Sequence, residues 1–574
     1  FSASRVLSLT LGLINAHFRS GRSVDTLLSI DDRGDRYRSD YRREGYRHAV
    51  EHEHNSRHMY SPFFPDPSVL QWKSMVESKT ATGLRVLDAV GNLTVPLVHG
   101  DADSPTLRLE VRLRRFLDVT DQRSHGYAPA GAILGHCGGP GSDAACGLWL
   151  AGEYAVEDDV PMGYDVLGIS QRGVKGNEIS MRCSAITGRA PTLPAHSSAS
   201  LAEIANGCAC AHTQGAKAGY MWKDMDTGDE VAVRGVFEES RTHADRCYAA
   251  PYWRLTGARN QTYNFLEHVG TQALLYDLEL LRSAMGLERL SFYGASYGTG
   301  VAASYASTFP ERTGRVVLDG NLFPFPNTVS MGLVWTSAVS QVIEHMLNNC
   351  RVQSGCALRR PFRSFEAVLD AARRGELRSP KTADGSRIAL NNGLIVGYMH
   401  DVAEERGCGW KKAVLTLALL NASDAAHREV GVVQVLDRLC KVGQNITWRR
   451  YSSCIDGILA GEDDDAIMGT ATLAMDNAGR LNVDSGVGMW RAERKLYGEH
   501  ILGHSIGYVS SLGTWQVQPK PVAPIGSVDV APLVVGNLYD QATSYILSQH
   551  MAASFPRSSL ITYQGLGHCL DQPT

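Results

Sequence analysis

The segment Arg289-Leu-Ser-Phe-Tyr-Gly-Ala-Ser296-Tyr-Gly-Thr-Gly300 constrains this chain more than any other. An apolar run stops at Gly294, a serine stands between Gly294 and Gly298, and Gly300, Ala302 and Ala303 follow. The run predicts a strand, and the small residues predict a helix packed closely behind it. The turn joining them has to be sharp. Glycines two residues either side of Ser296 remove side chains that would collide there, so the hydroxyl is pushed outward. The helix start adds unpaired N–H groups and the positive end of its dipole. Ser296 is therefore the candidate nucleophile, and the Tyr297 N–H beside it a candidate donor to an oxyanion.

A nucleophilic serine needs a base, and the base an orienting acid. Where the nucleophile sits on a strand-to-helix turn, the acid and then the base follow later in the chain. Asp540 comes a short loop after the apolar run Ala531-Pro-Leu-Val-Val535. His568 closes Gly565-Leu-Gly-His568, just after the run Leu560-Ile-Thr-Tyr563. Asp319, at the end of Arg315-Val-Val-Leu318, is the rival acid, but its place before Gly320 reads as a turn residue. A second oxyanion donor is expected from His136-Cys-Gly138-Gly139-Pro140-Gly141, which follows the early run Ala130–Leu134. Glycines there let the backbone approach a substrate, which makes the Gly138 and Gly139 N–H groups the candidates.

These runs, with Tyr164–Ile169, are apolar on both sides of the strand. That suits an α/β fold, a mostly parallel sheet with helices on both faces. Glu267 to Met285 reads as an amphipathic crossover helix with Leu274, Leu278 and Leu281 on one side and Gly286 as its stop. Between about 321 and 500 the strand pattern fades, and Val329–Leu347, Phe362–Ala372 and Ala425–Leu439 read as helices. An insertion between two strands of one sheet is expected to lie over their carboxyl ends as a cap. The resulting division is an N-terminal extension of unknown role (1–75), the first part of the core (76–320), a helical cap (321–500) and the core's return segment (501–574). A loop-rich insertion at about 177–262 carries Cys183, Cys208, Cys210 and Cys247.

Composition narrows the functions. With 44% apolar and 20% charged residues, wholesale disorder is excluded. Fifty-six Lys and Arg against sixty Asp and Glu leave a net charge of −4, which provides no broad basic face for nucleic acid or anionic lipid. No apolar run reaches the roughly 18 to 20 residues of a membrane span. The twelve cysteines include no Cys-x-x-Cys pair, so disulfides are favoured over a zinc or thioredoxin-like motif. Sequons at Asn92, Asn260, Asn421 and Asn445, and a start at Phe1 consistent with a removed leader, point to the secretory pathway, extracellular or lysosomal/vacuolar. Arg33-Gly-Asp35 and the cluster His48, His52, His54 and His58 read as solvated surface rather than as an adhesion motif or metal site.

On these motifs the chain resembles the prolyl aminopeptidase and tripeptidyl aminopeptidase family of α/β-hydrolase serine peptidases, the tripeptidyl branch best. The family's His-Gly-Gly-Pro-Gly is matched by Gly138-Gly-Pro-Gly141, with Cys137 intruding after His136. Its Asp-Gln-Arg-Gly is similar to Ser170-Gln-Arg-Gly173, and its Gly-x-Ser-Tyr-Gly-Thr elbow to Gly294–Thr299. Its Val-Leu-Asp-Gly, Asp-x-x-Thr and Gly-x-Gly-His correspond to Val317–Gly320, Asp540–Thr543 and Gly565–His568. Departures are Ser170, the run Val174-Lys-Gly-Asn177, and residues 1–75.

The resemblance implies a serine exopeptidase. It would release short peptides or single residues from the N-termini of peptides through an acyl-enzyme, with Ser296, Asp540 and His568 as its triad. Peptides with a free N-terminus are the implied partners, and no metal or organic cofactor is implied. Glu404 and Glu405 are candidates for gripping a substrate amino group, though surface carboxylates are the simpler reading. The fold would bring Cys137 and Cys569 near the nucleophile, close enough to bridge. A carboxylesterase and a non-catalytic structural subunit are the alternatives. Epoxide hydrolases and dehalogenases are disfavoured, because they use a carboxylate where this chain has Ser296.

Overall fold

The computed structural model describes residues 68–80, 83–117, 131–154, 156–157, 160–161, 163–180, 230–249, 251–322, 327–381, 385, 387–403, 409–439, 464–497 and 503–570. The Arg33–Asp35 triplet, the histidine cluster, Glu404, Glu405, Cys183, Cys208, Cys210 and Asn445 lie outside the described residues.

The described residues open with three long strands, β1 (Leu70–Lys79), β2 (Arg85–Pro96) and β3 (Thr106–Phe116), joined as antiparallel neighbours. β2 and β3 alternate buried with more exposed residues, as strands with one face on a core do. β1 begins at Leu70, so the boundary expected at residue 75 falls inside a core strand. This hairpin pair carries many charged residues, which hid its strand character from a search for apolar runs.

β4 (Gly131–His136), helix α1 (Ala144–Tyr154) and β5 (Tyr164–Ile169) come next. Helix α2 (Glu230–Ala249) lies in the expected loop-rich insertion. Then follow α3 (Thr271–Ala284), β6 (Leu290–Ala295), α4 (Tyr297–Thr308) and β7 (Thr313–Asp319). The expected crossover helix therefore starts at Thr271. Gly270 is its N-cap, and a short 3-10 turn, Phe265–His268, occupies the residues before it.

Among the described residues, helices α5 (Thr328–Val352), α6 (Pro361–Arg373), α7 (Asn392–Ala403), α8 (Gly409–Leu420), α9 (Ala425–Leu439), α10 (Asp464–Asp476) and α11 (Val483–Tyr497) follow β7. Helix α12 (Gly503–Gly513) precedes β8 (Leu533–Tyr539), α13 (Tyr545–Ser554) and β9 (Ser559–Leu566).

The nine strands form one sheet in the order β1-β2-β3-β5-β4-β6-β7-β8-β9, parallel from β5 to β9. One face packs Leu134, Phe292, Leu318 and Val534 against α3 and α4, and the other packs Ile133, Tyr293, Val317 and Val535 with Leu148 and Ala151 of α1. Burial on both faces explains the uninterrupted apolar runs. A separate apolar cluster from α5 to α9 includes Leu566 and is flanked by Tyr539, so the inserted helices sit against the ends of β8 and β9. No helix among the described residues is long and apolar enough to cross a membrane.

Candidate active site

The parallel register places the ends of the central strands side by side. His136 of β4 pairs with Gly294 of β6, and Ala295 of β6 with Asp319 of β7. Loops leaving these ends form the crevice where ligands bind in open α/β sheets.

Ser296 occupies the turn between β6 and α4 with φ 56° and ψ −127°, a left-handed conformation that costs a non-glycine residue energy. The glycines around it allow the turn. A Cβ on Gly298 would lie 2.1 Å from the His136 carbonyl oxygen, and one on Gly294 2.4 Å from the Gly298 carbonyl oxygen. The Ser296 N–H donates to the Asp319 carbonyl at 2.9 Å, which ties the elbow to β7.

The glycine-rich loop after β4 lies against this elbow. A Cβ on Gly138 would fall 2.6 Å from the Ala295 carbonyl oxygen and 2.9 Å from the Tyr297 nitrogen. Gly138 (φ +98°) donates its N–H to Nδ1 of His136 at 3.2 Å, so this amide is turned away from the role expected for it. Burial holds the His136 imidazole down to about 4, which keeps Nδ1 a neutral acceptor. The Tyr297 N–H stands at the first position of α4, where no intrahelical acceptor exists. Of the three candidate donors, Gly138 is therefore spent on His136, while Tyr297 has no intrahelical acceptor.

His568 and Asp540 meet on the far side. Nδ1 of His568 lies 2.9 Å from Oδ2 of Asp540 and 3.1 Å from Oδ1. A carboxylate only accepts, so Nδ1 carries the proton and Nε2 is left with a lone pair able to take one. Both residues are buried. The carboxylate also accepts the N–H groups of Ala542 (2.8 Å) and Thr543 (2.6 Å) and the Thr543 hydroxyl (3.0 Å). Thr543 Oγ1 stands 3.2 Å from Nδ1, a contact legible beforehand only as the threonine of Asp540-Gln-Ala-Thr543. Burial alone would lower the imidazole's affinity for a proton. The charge of Asp540 and the neighbouring Cys569 outweigh it and raise the pKa above the usual 6.5.

Nε2 of His568 lies 3.6 Å from Sγ of Cys569, whose thiol donates to the Asp319 carbonyl at 3.3 Å. That carbonyl is the one holding the Ser296 N–H, so Cys569, the neighbour of His568, and Ser296 meet at a single backbone group. Among the described residues no hydrogen bond joins the Ser296 hydroxyl to Nε2, and such bonds often close only with substrate in place. Asp319, the rival acid, is committed elsewhere. Its carboxylate accepts the Leu570 N–H at 2.7 and 2.9 Å and the Tyr293 hydroxyl at 3.1 Å, fixing the loop that carries His568.

Cys137 is bridged to Cys146, not to Cys569, which is buried and not disulfide-bonded. The bridge clips the glycine-rich loop to the start of α1 instead. A second bridge joins Cys350 to Cys356. The Ser170-Gln-Arg-Gly173 motif supports the site from behind. The Ser170 hydroxyl accepts the Ala144 N–H at 3.0 Å. Arg172, fully buried, forks onto Asp277 at 2.7 and 2.8 Å and onto the Leu97, His268 and Pro96 carbonyls.

Sheet, elbow and carboxyl-end loops define an α/β-hydrolase fold. Residues 132–346 match the family described as alpha/beta hydrolase fold, and residues 509–573 match one described as TAP-like protein. Among curated relatives, the serine protease Hip1 of Mycobacterium tuberculosis is 34% identical over 95 residues, 17% of this chain and 18% of its own. The tripeptidyl aminopeptidase of Streptomyces lividans is 26% identical over 235 residues, 41% of this chain and 35% of its own. A proline iminopeptidase of Xylella fastidiosa is 39% identical over 62 residues, 11% of this chain and 20% of its own. The aligned stretches span less than half the length of each of these relatives. By sequence, the chain is similar over these stretches to α/β-hydrolase peptidases.

Proposed function

We propose that the chain is a serine exopeptidase that removes short peptides or single residues from peptide N-termini. The observation that carries this reading is the buried Asp540–His568 pair on the loops facing the Ser296 elbow. In the proposed reaction Ser296 Oγ attacks the carbonyl carbon of the scissile amide while Nε2 of His568 takes the hydroxyl proton. The N–H groups of Gly139 and Tyr297 hold the negative oxygen of the tetrahedral intermediate. His568 then returns the proton to the departing amine, leaving an acyl group on Ser296. Water, deprotonated by the same imidazole, releases the acyl product and restores the serine.

The exopeptidase assignment rests on the peptidase relatives and on helices α5 to α11 set between β7 and β8 near the crevice. Paired peptides that differ only in a free or acetylated N-terminus test it. Cleavage confined to the free form supports it. Equal cleavage of both, or turnover of simple acyl esters alone, would favour the carboxylesterase alternative. Location in the secretory pathway is a further proposal, supported by the Cys137–Cys146 and Cys350–Cys356 bridges.

A further inference from the structure

A chain of buried polar groups runs from the oxyanion loop into the inserted helices. The Gly141 N–H donates to Oε1 of Gln171 at 3.1 Å, and Nε2 of Gln171 donates to the Tyr297 hydroxyl at 3.1 Å. The Tyr297 hydroxyl is hydrogen-bonded to Thr271 Oγ1, and Thr271 Oγ1 donates to Oδ2 of Asp476 at 2.5 Å. The Thr271 N–H donates to the other carboxylate oxygen at 2.7 Å, so Asp476 also closes the N-terminus of α3. Gln171, Tyr297 and Thr271 are buried. Asp476, the last residue of α10, is half-buried and lines a cavity with Tyr297, Thr271, Ser304 and Asn477.

The direction of every link is set from the two ends. A backbone N–H only donates, which fixes the Gln171 amide with its oxygen toward Gly141 and its nitrogen toward Tyr297. A carboxylate only accepts, which makes Thr271 the donor to Asp476 and Tyr297 the donor to Thr271. With an un-ionised carboxyl, Asp476 becomes a donor to Thr271 and Thr271 a donor to Tyr297, so the Tyr297 hydroxyl accepts from both Thr271 and Gln171 and its own hydrogen loses its acceptor. Relief by turning the amide would set its NH2 against the Gly141 N–H.

We propose that Asp476 is a positioning residue for the oxyanion loop, its carboxylate holding Gly141 in place through Thr271, Tyr297 and Gln171. This rests on the serine-hydrolase reading above. Tyr297 takes part twice, its hydroxyl in the chain and its N–H at the oxyanion. Burial pushes the Asp476 acid up to about 7, within reach of ordinary conditions, and among the described residues no charged side chain sits on it to oppose that. On α3, Asp277 is taken by Arg172 and His99, and Glu279 by Arg282 and Tyr305. Arg480 donates to the Ala474 and Val517 carbonyls, and Lys520 to the Glu267 carbonyl. His268, beside the start of α3, is held down to about 3 and stays neutral. α12 presents no charged group to it among the described residues.

Asp476→Asn and Thr271→Val test the chain, with Thr271→Ser as the variant that keeps the hydroxyl. The expected result is a kcat about tenfold or more lower for Asp476→Asn and Thr271→Val, with KM changed less, and recovery in Thr271→Ser. The acid limb of kcat/KM should follow two protonations in the unaltered protein and one in Asp476→Asn. Thr271→Val leaves charge unchanged and carries the test if Asp476→Asn does not fold. Active unaltered protein alongside variants with the same kcat and pH profile would overturn the inference alone. Unaltered protein inert toward both amides and an active-serine phosphonate would remove the hydrolase reading and this inference with it.

Discussion

Oδ2 of Asp540 lies 2.9 Å from Nδ1 of His568, and three further donors from Ala542 and Thr543 hold that carboxylate still. The charge beside the imidazole has a consequence for pH. An unperturbed histidine would place the acid limb of activity near pH 6.5, whereas the raised pKa moves it higher. Because the base must be neutral, kcat/KM should fall as pH drops through that raised value. Asp540→Asn removes the charge and leaves burial, so the limb of the residual activity should shift acidward. The rate itself should drop by about 10³ to 10⁴. The pH profiles of the two proteins check both statements. Stability carries the matching sign. The pair's contribution is fully present below pH 6.5 and fades as pH rises through the raised value.

Arg172 is fully buried on Asp277, so replacing it by Met should leave a buried carboxylate without its fork. Breaking such a pair from one side costs about 3 to 5 kcal/mol, with His99 left at 2.7 Å as a partial substitute. Denaturant unfolding of Arg172→Met beside Arg172→Met/Asp277→Asn measures it. The double variant should be the more stable of the two.

Cys569 is buried beside both His568 and Asp319, and burial pushes its thiol up to about 11. A thiolate is the reactive form, so the native protein should resist a disulfide reagent at pH 8 at this position and react there only on unfolding. Its φ of 55° makes a β-branched replacement costly. Cys569→Val should lose activity and stability, and Cys569→Ala should keep activity within about tenfold, as kcat and melting curves would show.

The Cys137–Cys146 bridge anchors the loop that supplies Gly139. Cys137→Ser/Cys146→Ser should lower kcat more than KM, because an oxyanion donor acts in the transition state. Steady-state kinetics of the paired variant test this, and an unchanged kcat would separate the bridge from the site.

The nucleophile elbow, the later acid and the terminal histidine were legible because each rests on a local pattern: an apolar strand, then a residue type the following turn requires. Asp540 and Asp319 were separable only weakly by pattern. The structure separates them by hydrogen bonds, with Asp319 spent on Leu570 and Tyr293. β3 escaped because Arg108, Glu110, Arg112 and Arg114 on its more exposed face alternate with buried apolar residues. The Gly138 N–H, turned to His136, and Cys137, bridged to Cys146, were missed because both depend on which way a loop folds back. Asp476 escaped for a related reason: 180 residues separate it from Ser296 in sequence, and no motif marks it.

The proposed reaction depends first on Ser296 being an activated nucleophile. Treatment with an active-serine phosphonate, followed by peptide mass mapping, measures that directly. The predicted result is one adduct on Ser296 in the folded protein, formed more slowly in His568→Ala and absent in Ser296→Ala. A folded protein that leaves Ser296 unmodified, or reacts equally fast without His568, would contradict it.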